Sequence, residues 1–88
     1  MDYDVHMPKK LEKTLRKMPE NARRTLFHLV NDIRETGPVR PEYHNYSRLG
    51  KNTYHCHLAY NWIACWRNEN DTCIVEVEYV GSREKAPY

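Results

Sequence analysis

His55 and His57 stand two residues apart in the run Tyr54-His55-Cys56-His57-Leu58, and a pair of imidazoles can exchange protons near neutral pH. If the run is a strand, both histidines share one face and Cys56 takes the other. Further along, Val80-Gly81-Ser82-Arg83 places a guanidinium just after a glycine, and Ala86-Pro87-Tyr88 ends in a phenol. A guanidinium holds a phosphate through two parallel hydrogen bonds. RNA cleavage by the chain's own 2′-hydroxyl needs a base on that hydroxyl, an acid at the departing 5′-oxygen and positive charge around the phosphorane. Two imidazoles, or an imidazole and a phenol, meet the first two needs, and Arg83 meets the third. Plainer roles fit the same residues: one hydrogen-bonded and one solvated histidine, an Arg83–Glu84 surface pair, a frayed Tyr88. A His-x-His metal site is a further reading, but no Asp or Cys at suitable spacing completes it, so no metal or other cofactor is expected.

Residues 1–88 amount to one small domain with a lean core, since chains of this size bury only roughly 60–65% of their unfolded surface. An apolar share of 40% in clearly periodic segments argues against disorder. No apolar run approaches the roughly 18–20 residues of a membrane span, and no signal-peptide pattern opens the chain, so a cytoplasmic protein without a membrane partner is expected. Three cysteines without C-x-x-C spacing read as reduced thiols. The net charge is only +2, yet Lys9, Lys10, Lys13, Arg16, Lys17, Arg23 and Arg24 crowd the first 24 residues. Such a cluster suits phosphate contact and equally suits a solvated helix face.

The elements that must hold these groups follow from periodicity. Tyr3, Val5 and Met7 alternate with polar residues as in a short strand. Leu11, Leu15 and Met18 recur at helical spacing after Pro8, and Pro19 breaks that helix. A second helix carries Ala22, Leu26, Leu29, Val30 and Ile33 on one stripe and stops at Gly37-Pro38, with 38–45 as a loop. The period then becomes two, giving strands over 46–49, 53–59, 62–67 and 73–80, separated by turns at 50–52, 60–61 and 68–72. The expected fold is α+β, β-α-α-β-β-β-β, a mostly antiparallel sheet with a helical hairpin on one face.

A two-residue loop at Tyr60-Asn61 would pair Ala59 with Trp62, His57 with Ala64, Cys56 with Cys65 and His55 with Trp66. Cys56, Leu58, Ile63 and Cys65 would then lie under the helices, and His55, His57, Trp62 and Trp66 on the open face with Glu76 and Glu78. Both tryptophans are placed there to stack on bases, with Arg48, Lys51 and Arg67 bordering them as phosphate contacts. A slip of one residue reverses every one of these facings.

The element order, Tyr54-His55-Cys56-His57-Leu58 before Asn61-Trp62, and Val80-Gly81-Ser82-Arg83-Glu84 before a terminal tyrosine together resemble the RelE superfamily of toxin–antitoxin systems over nearly the whole chain. His55 and His57 fall where RelE carries lysines, and His57 resembles the histidine of a Cys-His-Ile run in the YafQ branch. Arg83 resembles the arginine after the Val-Gly step, and Tyr88 the C-terminal aromatic of the site. Asn61 stands where the YafQ branch has an acidic residue, and Ile63 or a neighbour stands where RelE has an arginine after the hairpin. The resemblance implies a ribosome-dependent endoribonuclease that cuts mRNA in the A site and represses translation. His57, His55, Arg83 and Tyr88 would be catalytic. Arg48, Lys51, Arg67, Trp66, Lys9, Lys10, Lys13, Arg16 and Lys17 would contact RNA. The implied partners are a cognate antitoxin, the ribosome and mRNA. A ParE-like inhibitor of DNA gyrase, or a weakly active or inactive RNA- or antitoxin-binding homologue, remains an alternative, and the oligomeric state is unread.

Overall fold

Two prolines punctuate the helical half of the chain. In the computed structural model, which describes residues 2–70 and 72–88, Pro8 is extended (ψ 144°) before a 3-10 turn at Lys9–Leu11 that runs into α1 (Glu12–Lys17). Pro19, also extended (ψ 152°), opens α2 (Glu20–Thr36), one position earlier than the first-turn site that proline also favours. Ala22, Leu26, Leu29 and Ile33 form the buried stripe of α2. The helix ends at Gly37, whose φ of 102° is rarely open to a side chain, and whose N–H donates to the Ile33 carbonyl at 2.8 Å. A Cβ there would also stand 3.1 Å from the Tyr3 ring.

The strands are β1 (Asp4–His6), β2 (Ser47–Arg48), β3 (Thr53–Ala59), β4 (Trp62–Asn68) and β5 (Ile74–Ser82). Asp71, part of the turn expected between the last two, lies outside the described residues. The sheet order is β1-β5-β4-β3-β2, antiparallel except for β1, which pairs parallel with β5. The fold is thus α+β, with the helices on one face of a mixed, mostly antiparallel sheet. Leu11, Met18 and the α2 stripe pack there against Tyr54, Cys56, Leu58, Ala64, Trp66, Val75, Val77 and Val80.

Register departs from expectation at one point, with large effect. Ala59 pairs with Trp62, but the next pair is His57 with Ile63, so Leu58 is the extra residue of a β-bulge. The facing of β3 is as expected, with Cys56 and Leu58 in the core and the histidines opposite. The facing of β4 is reversed. Trp66 is fully buried with its indole Nε1 donating to the Pro38 carbonyl at 2.9 Å, and Trp62 packs partly against the same core. Ile63 and Cys65 instead lie on the histidine face, so Cys56 and Cys65 do not oppose each other. A second bulge at Glu78 brings Tyr79 opposite Cys65, while Val77 and Val80 both stay in the core.

Candidate active site

β3 delivers His55 and His57 to one face by simple alternation, and their ring centroids are 5.9 Å apart. The floor beside them is apolar: their cross-strand partners are Cys65 and Ile63, both buried. Burial pushes the Cys65 thiol up to about 11, and on the core side burial pushes Cys56 up to about 12, so both thiols stay protonated and inert.

The two histidines differ. His55 is only 8% exposed, its Nδ1 is hydrogen-bonded to the Ser47 hydroxyl at 2.9 Å, and the Tyr88 ring lies 4.7 Å from its own. His57 is half-buried and lies edge-on to His44, at 5.9 Å between ring centroids. Its pKa is lowered from 6.5, first by desolvation, then by the like charges of His55, Arg83 and His44. His57 is therefore a neutral base at neutral pH. The Tyr88 phenol, although the residue is 55% exposed, is raised by desolvation where it lies against the sheet, with the Arg83 charge opposing, and it stays a proton donor.

Arg83 opens a 3-10 turn, Arg83–Lys85, directly after β5, and its N–H donates to the Asn61 carbonyl at 2.6 Å. That bond ties the strand end to the β3–β4 hairpin. The Arg83 side chain is exposed and, among the described residues, forms no ion pair, including the one considered with Glu84. The turn before it is tightly fixed. Tyr79 donates its hydroxyl to the Ser82 carbonyl at 2.7 Å, across Gly81, where a Cβ would stand 2.7 Å from that oxygen.

Several residues expected to contact RNA are placed elsewhere. Trp66 cannot stack on a base, because the Leu58 bulge turns it into the core. Arg67 is held by Glu78 and Glu69, each at 3.0 Å, and so presents no unpaired guanidinium. Arg48 pairs across β2–β3 with Tyr54 and stacks over that ring at 5.5 Å, on the face opposite His55. Lys51 is exposed in the turn after β2, its carbonyl accepting from Arg48 Nη2 at 2.7 Å. Lys9, Lys10, Lys13, Arg16 and Lys17 are exposed in the helical layer, across the sheet from the histidines.

Sequence reasoning passed over His44, Asn45 and Ser47. Ser47 was within reach: a three-residue turn at 50–52 pairs Leu49 with Thr53 and hence Ser47 with His55. His44 had no such signal, because a loop has no period. Its place depends on Asn45, which is left-handed at φ 53°, and on the His57 N–H donating to the His44 carbonyl at 2.8 Å. Among the described residues, no group of three or more His, Cys, Asp or Glu side chains is arranged to hold a metal ion. Nor is any helix long and apolar enough to cross a membrane.

Two helices on one face of a β1-β5-β4-β3-β2 sheet, with polar chemistry on the other, define a recognisable class of small α+β protein. The chain has the RelE-like fold. It is similar to an archaeal RelE in complex with RelB from Pyrococcus horikoshii, with a TM-score of 0.75 and 18% identity over 98% of this chain and 100% of that one. It is similar also to a mutant of E. coli toxin RelE in the free state, with a TM-score of 0.71 and 19% identity over 96% of this chain and 86% of that one. A conserved hypothetical protein from Helicobacter pylori aligns at a TM-score of 0.56 and 16% identity, over 93% of this chain and 96% of that one. No family model and no curated protein sequence matches the chain.

Proposed function

We propose that the chain is the toxin of a toxin–antitoxin pair, an endoribonuclease that cuts mRNA in the ribosomal A site and so represses translation. The observation that carries this reading is a half-buried His57 with its ring 5.9 Å from that of His55, on a face where Tyr88 lies against His55 and where the Arg83 charge is among those that lower the His57 pKa. The likeness to E. coli toxin RelE and to an archaeal RelE bound to RelB supports the setting and a cognate antitoxin as partner. The place of action is then the cytoplasm, and no metal or cofactor enters the scheme.

His57 takes the 2′-hydroxyl proton, Arg83 stabilises the phosphorane, and Tyr88 with His55 orients the nucleotide. Lys51 and the exposed cations of the helical layer meet ribosomal phosphates. The test is to incubate the pure protein with translating ribosomes and map mRNA ends. Cuts that fall about 100-fold or more in His57→Ala and Arg83→Ala are expected. Intact mRNA with wild-type protein overturns the reading, and inhibited gyrase in a parallel supercoiling assay would place the chain with the ParE-like toxins instead.

A further inference from the structure

Cleavage by a 2′-hydroxyl needs two proton-transfer groups, one on each side of the phosphorus. His55 looks at first like the partner of His57, being next but one on the same strand. Its surroundings argue otherwise. It is 8% exposed, its Nδ1 is tied to Ser47, and Tyr88 lies against its ring. A group so enclosed orients its neighbours better than it reaches a leaving oxygen.

His44 has the opposite character. It is exposed, it approaches His57 from the loop rather than the strand, and its ring is as near to His57 as that of His55, at 5.9 Å. Its position is not incidental, because the His57 N–H holds the His44 carbonyl at 2.8 Å and left-handed Asn45 turns the loop back toward β3. Asn45 Nδ2 also stands 3.5 Å from His57 Nδ1, a long contact from the same loop.

We propose that His44, not His55, is the acid–base partner of His57, with Ser47 and Tyr88 holding His55 as a positioning residue. The assignment rests on the nuclease reading above. In the step it describes, neutral His57 removes the 2′-hydroxyl proton while that oxygen bonds to phosphorus. The bond from phosphorus to the 5′-oxygen breaks with its electron pair on oxygen, and protonated His44 gives that oxygen its proton. The products are a 2′,3′-cyclic phosphate and a free 5′-hydroxyl, with the proton count unchanged. The charged or titratable groups that bear on His57 are His55 from its own strand, His44 from the loop and Arg83 from the turn after β5.

Two measurements on His44→Gln test this. NMR titration of the imidazoles in the free protein should show the His57 pKa rising when His44 is removed, because a like charge has gone; the same spectra report whether the fold is intact. Cleavage on translating ribosomes, followed against pH, should fall about 100-fold and lose its alkaline limb. His55→Gln should be slower but keep both limbs. An unmoved His57 titration overturns the pairing whatever the cleavage assay gives. Retention of the alkaline limb in His44→Gln, or its loss in Tyr88→Phe instead, overturns it as well. A wild-type protein that cuts nothing overturns the nuclease reading and the catalytic use of the pair, while the titration still reports whether the two rings are coupled.

Discussion

His57 and His55 are the same residue type two positions apart, yet their surroundings give them different work. Desolvation, helped by three neighbouring cations or potential cations, favours the neutral form of His57, so the unfolded chain binds that proton more readily than the folded one. The sign for stability follows. Folding free energy is lost as pH falls from the ordinary histidine value of 6.5 toward the lowered folded value, and no more is lost below it. Urea unfolding at pH 7.5 and pH 5 should therefore show a weaker wild-type protein at the lower pH, and His57→Gln should flatten that difference. Asn45 gives a second residue-scale expectation. Its φ of 53° suits Asn and Gly but costs a β-branched side chain about 1–2 kcal/mol or more. Asn45→Val should lower the melting temperature, and Asn45→Gly should change it much less.

At the scale of elements, what could be read from the sequence was whatever repeats. Both helices, the Gly37 stop and all five strands follow from spacings of two or of three to four residues, and the facing of His55 and His57 follows from alternation along β3. The faces of β4 could not be read, because the bulge at Leu58 adds one residue without any Gly or Pro to announce it. That single insertion carried Trp66 and Trp62 from the open face into the core and brought Ile63 and Cys65 under the histidines. The candidate site is thus half legible: the shared face of its strand histidines follows from alternation, and the approach of His44 from a loop does not. Trp66→Phe tests the corrected register. It shrinks a side chain with no exposure and leaves the Pro38 carbonyl without its indole donor, so a loss of about 2–3 kcal/mol is expected, roughly 10–20 °C in Tm for a domain of this size. A surface tryptophan would give almost no change. Gly37→Ala should cost about 1–3 kcal/mol by the same thermal measurement, since φ is 102° and the Tyr3 ring must also yield.

The molecule as a whole divides its charge between two sides. Exposed cations of the first helix and the turn before it lie across the sheet from the histidines, so a large RNA surface would have to meet both the edge and the face to engage them together. Affinity for ribosomes should fall linearly on a log–log plot against salt, and each of Lys9, Lys13 or Lys17 changed to Gln should reduce that slope by about 1 if its phosphate contact is made. An unchanged slope in all three would assign them to solvation alone.

The parallel pairing of β1 with β5 also has a consequence in time. A chain grows from its amino end, so β1 is made first and then waits for β5, which alone joins it to the rest of the sheet. Closing so long a loop carries an entropy cost that the β1–β5 ladder repays only when the final strand arrives. Arg83 and Tyr88 come later still, and the face around His57 is incomplete without them. Under the proposed function, the face around His57 is therefore completed only after the sheet has closed.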